Sequence, residues 1–129
     1  MREELFKHGA FSWTELLTTD VEESKKFYHE VFGWEFKQFD GSEMPYTVIV
    51  ANGEEVGGIM DMPPNLPPGV PPHWGNYVTV DDIDKTVEKV KELGGNIFFG
   101  PMDVPNVGRF AVIQDPKGAV IMAISYKPM

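Results

Sequence analysis

Cysteine is absent from the 129 residues. That excludes disulfides, thiolate catalysis and Cys-ligated zinc or iron–sulfur sites, and it suits a reducing, cytoplasmic compartment. Basic residues are scarce. Eleven Lys+Arg stand against 20 Asp+Glu, a formal net charge of −9. Nucleic-acid binding needs clustered Lys and Arg on phosphates, and Lys25-Lys26 with scattered lysines further on make no such patch. No apolar run approaches the ~18 residues of a membrane span, and Met1-Arg2-Glu3-Glu4-Leu5 lacks the apolar segment of a signal peptide. Neither a nucleic acid nor a membrane is therefore expected as partner. His8, His29 and His73 stand apart without HxH or HxxxH spacing, and no GxGxxG, P-loop, GxSxG or HExxH motif occurs.

What is present is enough for a packed core. Hydrophobic residues make up 42% of the chain and charged ones 24%, which excludes a disordered composition. Two helices are marked by their ends. The first follows Asp20, an N-cap residue with Glu23 three positions on, and stops at Gly33. Phe27, Tyr28, Val31 and Phe32 recur along it at helical spacing, and Glu22 and Lys26 form a favourable i,i+4 pair. The second follows Asp81-Asp82, carries Ile83, Val87, Val90 and Leu93 as its apolar stripe, and ends at Gly94-Gly95.

The rest reads as strands: His8 to Leu17, Trp34 to Phe39, Tyr46 to Ala51 and Glu55 to Met60, then Trp74 to Val80, Asn96 to Phe99, Arg109 to Gln114 and Ala119 to Tyr126. Asp115-Pro116-Lys117-Gly118 has turn chemistry. Between Met62 and Pro72 the prolines are too dense for a central strand or a helix. The order is β-α-β-β-β, connector, β-α-β-β-β. At one constant offset Leu16 falls on Val78, Val21 on Ile83, Tyr28 on Val90, Val31 on Leu93 and Gly33 on Gly95. The expectation is a single domain of two copies of one module, at about 8–61 and 73–127, joined by residues 62–72.

Four stretches carry a resemblance. They are Phe11-Ser12-Trp13-Thr14-Glu15-Leu16 leading to Asp20; Phe27-Tyr28 before Val31-Phe32-Gly33-Trp34; Tyr77 to Asp84 before Leu93-Gly94-Gly95; and Gly108-Arg109-Phe110 leading to Asp115-Pro116-Lys117-Gly118. Together they make the chain resemble the vicinal oxygen chelate superfamily of glyoxalases, bleomycin-resistance proteins and dioxygenases. The match is strongest to a glyoxalase-like subgroup. The resemblance implies an α+β fold in which two tandem βαβββ modules form a curled mixed sheet around a cleft. It implies homodimers and a small-molecule ligand. It also implies a divalent metal that polarises substrate oxygens, held by His, Gln or Glu on first and last strands. Placed residue by residue, those ligand positions fall on Trp13, on Gly75 or Asn76, on Met122, and among Gly57, Gly58 and Met60. None is a histidine or carboxylate, so no metal and no other cofactor is expected; a divalent metal at an unconventional site is the alternative.

Strand alternation puts Trp13, Glu15 and Leu17 on one face, and His73, Gly75, Tyr77 and Thr79 on the matching face of the second module. Glu15 is the candidate catalytic residue. Burial beside Trp13 would raise its pKa toward general-base range, or suit it to a cationic ligand. Its plainer fate is solvation, or pairing with Arg109. His73 is a candidate acid/base or metal arm, or simply a surface residue at a strand start. Trp13, Tyr46, Met60, Trp74, Tyr77 and Met122 can line an apolar pocket, or serve as ordinary core. Arg109 can fork onto a ligand carboxylate, or pin the loop at Pro101–Val107. The leading expectation is a metal-free binding protein for a small organic, cationic or aromatic ligand. The alternative is a lyase, isomerase or dioxygenase-type enzyme using Glu15 or an unconventional metal.

Overall fold

A computed structural model describes residues 3–39, 46–62 and 69–127. Residues 63–68, most of the proline-rich connector, lie outside the described residues. Internal contacts divide the chain into two units. One is Trp13–Gly75; the other is Asn76–Met129 together with the segment ending at Ser12.

The first unit contains β1 (Phe11–Thr18) from Trp13 onward, α1 (Val21–Phe32), β2 (Glu35–Gln38), β3 (Thr47–Ala51) and β4 (Glu54–Asp61). Its strands lie in the order β2-β3-β4-β1. β4 runs parallel to β1, and β3 is antiparallel to both β2 and β4. The Asp20 carboxylate accepts from Glu23 N–H at 3.0 Å, and Gly33 closes α1 with φ 75°, the left-handed value glycine takes without steric cost. Leu16, Ile49 and Ile59 form the buried core, packed against Val21, Tyr28, Trp34 and Phe36.

The second unit repeats the plan with β5 (His73–Thr79) from Asn76 onward, α2 (Ile83–Glu92), β6 (Asn96–Val104), β7 (Gly108–Gln114) and β8 (Val120–Tyr126). Its strand order is β6-β7-β8-β5, with β5 parallel to β8. Val80, Ile83, Val87, Ala111 and Ala123 make its core. Ala111 and Ala123 are paired across β7 and β8, and their small side chains leave room for the stripe of α2. Asp82 caps α2 through Asp84 and Lys85 N–H. The Asp115 turn forms as its chemistry predicts, its carboxylate accepting from Lys117 and Ala119 N–H at 2.8 and 3.0 Å.

Some details differ from the sequence reading. Glu3–Phe6 form a 3₁₀ turn, and β1 begins only at Phe11 because the chain turns again just before it, with Ala10 N–H donating to Lys7 O and Gly9 at φ 90°. That opening segment is bonded to the second unit: Gly9 N–H donates to Thr79 O, Thr79 N–H to Ala10 O, and Thr79 Oγ1 to Leu5 O. β6 runs on to Val104 through Pro101, with register shifts between Ile97 and Met102. A proline is tolerated there because β6 is the last strand of its sheet and its outer side needs no N–H. Glu22 pairs with Lys25 at 3.4 Å, not with Lys26. Of the α1 stripe only Tyr28 packs into the core cluster, while Phe27, Val31 and Phe32 stay more than half exposed. No helix among the described residues is long and apolar enough to cross a membrane.

Candidate functional site

β1 positions the candidate residues of the first unit. Glu15 lies opposite Gly58 of β4, and Leu17 opposite Met60. Val48 of β3 lies opposite Gly58 from the other side. Paired residues of a pleated sheet share a face, so Trp13, Glu15, Leu17, Val48, Gly58 and Met60 look one way. Leu16, Ile49 and Ile59 look the other way, into the α1 core.

Glu15 is buried, with only 7% of its surface exposed. Tyr46 stands immediately before β3 and its hydroxyl donates to Glu15 Oε2 at 2.7 Å. The Trp13 Nε1–H donates in turn to Tyr46 Oη at 2.8 Å. A buried carboxylate is tolerated when it is hydrogen-bonded, and donors in series polarise one another. The three side chains therefore form one oriented chain, indole to phenol to carboxylate. Sequence reading named all three without joining them.

The remaining predicted residues go elsewhere. Trp74 packs against Tyr28 and Trp34, at ring distances of 5.4 and 5.9 Å, and its Nε1–H donates to Tyr28 Oη at 3.2 Å. It belongs to the aromatic group beside α1. His73 is exposed, with Nδ1 donating to Pro71 O at 2.8 Å. Arg109 grips Asp84 at the start of α2 with two hydrogen bonds, of 3.2 and 3.1 Å, and lies 3.4 Å from Asp103. It ties β7 to α2 and β6.

In the second unit Tyr77 lies opposite Met122, and Met122 opposite Val112. The Tyr77 ring is 6.3 Å from Phe110, which is 5.8 Å from Phe99. Neither Phe99 nor Phe110 is among the site candidates read from the sequence. Alternation along β7 was the available signal, since it sets Phe110 and Val112 opposite in sense to Arg109 and Ala111. A surface hollow of about 350 Å³ at the start of α1, lined by residues such as Asp20, Gln38 and Asp61, contains none of the predicted site residues.

The metal positions can be tested on donor chemistry. Trp13 offers an indole already used as a donor to Tyr46. Gly57, Gly58 and Gly75 offer no side chain, Asn76 offers a single amide oxygen where hard cations need several, and Met60 and Met122 offer thioethers, which are poor ligands for hard cations. Among the described residues no three His, Asp or Glu side chains come together as a metal-binding group. The residues present do not fit the divalent ion that the fold implies.

Residues 10–123 match the Glyoxalase/Bleomycin resistance protein/Dioxygenase superfamily, and the chain belongs to it. CFP32 of Mycobacterium tuberculosis, a protein provisionally named a glyoxylase, is 39% identical over 121 residues, covering 90% of this chain and 45% of CFP32. The anthracycline biosynthesis protein DnrV of Streptomyces peucetius is 34% identical over 126 residues, covering 88% of this chain and 46% of DnrV. The chain thus spans less than half the length of these relatives. Among solved structures, methylmalonyl-CoA epimerase from Mycobacterium tuberculosis superposes with a TM-score of 0.63 at 14% identity, covering 99% of this chain and 94% of that one. That likeness is one of fold.

Proposed function

We propose that the chain binds a small organic cation on the Glu15 face of its first sheet, without the metal ion of its superfamily. The observation that carries this reading is the buried Glu15 carboxylate held by Tyr46 at 2.7 Å beside the Trp13 indole. A buried anion gains most from a ligand that brings the opposite charge. Aromatic faces attract cations and flat rings, and the thioether of Met60 adapts to irregular shapes. The net charge of −9 adds a field that favours cations. A relative named for anthracycline biosynthesis is in keeping with a flat aromatic ligand. Tyr77 and Met122 give the second unit apolar surface suited to the same class.

Fluorescence titration with ethidium, a planar cation, tests the reading. The wild-type protein is expected to bind it saturably at one site, and the anionic dye anilinonaphthalene sulfonate more weakly. Glu15→Gln should weaken ethidium binding by at least about tenfold, or ~1.4 kcal/mol. Absence of saturable binding, or equal binding by the variant, would refute it.

A second reading draws on the same hydrogen bond. A carboxylate fixed by Tyr46 can take a proton from the carbon beside a carbonyl and leave an enolate, which is isomerase or lyase chemistry. Deuterium uptake from heavy water into a carbonyl compound, abolished in Glu15→Gln, would favour it over binding alone.

A further inference from the structure

Gly57 and Gly58 adjoin in β4, and the reasons for the two glycines differ. At Gly57 a Cβ would meet the Thr14 backbone oxygen at 2.6 Å, so the obstacle is the neighbouring strand itself. At Gly58 the three nearest atoms a Cβ would meet are the Tyr46 hydroxyl, Cζ and Cε1. No backbone is among them. The Tyr46 ring lies directly over the bare backbone of Gly58, which is also the residue opposite Glu15 across β1 and β4.

We propose that Gly58 is the positioning residue of the Glu15 site: its missing side chain is the slot through which the Tyr46 hydroxyl reaches the carboxylate. The inference deepens the ligand reading above and rests on it for its functional meaning. The geometry follows from three facts already given. Tyr46 enters from β3, one strand beyond β4. To reach Glu15 on β1 its ring must cross β4 on the shared face. Only a residue without Cβ leaves that crossing open at the point where the hydroxyl, Cζ and Cε1 pass. Because the obstruction is the far end of a flexible side chain, Gly58→Ala is expected to fold, with the ring turned aside. Glu15 then loses its Tyr46 donor, and Trp13 Nε1–H loses its acceptor.

The indole N–H resonances of ¹⁵N-labelled protein test this without any ligand. The three tryptophans are assigned by single Trp→Phe variants. In Gly58→Ala the Trp13 resonance should move and exchange faster with water, while those of Trp34 and Trp74 hold. Ethidium binding should weaken at least about tenfold. In a Tyr46→Ala background, Gly58→Ala should change neither readout, because nothing remains for the new methyl to displace. An unmoved Trp13 resonance in Gly58→Ala would overturn the proposal. So would a full effect of Gly58→Ala in the Tyr46→Ala background, since that would assign Gly58 a role independent of Tyr46. Failure of wild-type protein to bind ethidium would defeat the ligand reading alone, leaving the indole readout to decide the positioning role.

Discussion

Glu15 sits where a lone carboxylate would be costly, and Tyr46 makes it tolerable. The two residues should therefore fail differently. Tyr46→Phe removes the donor to a buried carboxylate and the acceptor of Trp13 at once. A loss of about 1–3 kcal/mol of stability is expected from deleting these two hydrogen bonds, read as a lower urea midpoint at unchanged slope. Glu15→Gln keeps an acceptor for Tyr46 and should lose ligand more than stability. A second half-buried phenol gives a pH signature. Burial pushes the Tyr126 hydroxyl above its ordinary value of 10.0, against a smaller opposing effect of its hydrogen bond with Ser12. The folded state thus keeps this proton where the unfolded chain releases it. Its contribution to stability is full below pH 10 and is lost as pH rises through the raised folded value. Urea midpoints measured from pH 8 to 11 should fall more steeply in wild type than in Tyr126→Phe.

At the scale of elements, much was legible because the signals are local. Asp20 with Glu23, Gly33, Asp82 and the Asp115 turn each act within a few residues, and each does what its chemistry predicts. What failed depended on partners distant in sequence. The apolar stripe of α1 reads as a buried face, yet Phe27 and Phe32 are exposed and Tyr28 alone joins the core cluster. The sequence reads as strand over Asn96–Phe99, whereas β6 runs on through Pro101 to Val104. An edge position tolerates the proline, and sequence does not announce edges. The tight seam between β1 and β4 has a testable consequence. Gly57→Ala drives a methyl into the Thr14 carbonyl. Overpacking of this kind costs about 1–3 kcal/mol, so its urea midpoint should fall below that of the wild type.

Across the whole chain the repeated βαβββ plan carries the superfamily's topology, with the inner pairings β1–β4 and β5–β8 both parallel. Alternation was enough to place Trp13, Glu15 and Leu17 on one face. It was not enough to show that Tyr46 reaches Glu15 over Gly58, because that contact spans 31 residues and crosses a strand. It also left open whether Arg109 serves a ligand, and the structure gives its hydrogen bonds to Asp84. We propose that the chain keeps the superfamily fold without its metal: no histidine or carboxylate stands at the ligand positions, and Trp13, Tyr46 and Glu15 form a hydrogen-bonded chain on the first sheet. Elemental mass spectrometry tests it most directly, on purified protein before and after incubation with manganese, iron, nickel and zinc, followed by dialysis. Substoichiometric metal is expected in every sample, with no change between wild type and Glu15→Gln. One equivalent of dialysis-resistant metal in the wild-type protein would contradict it.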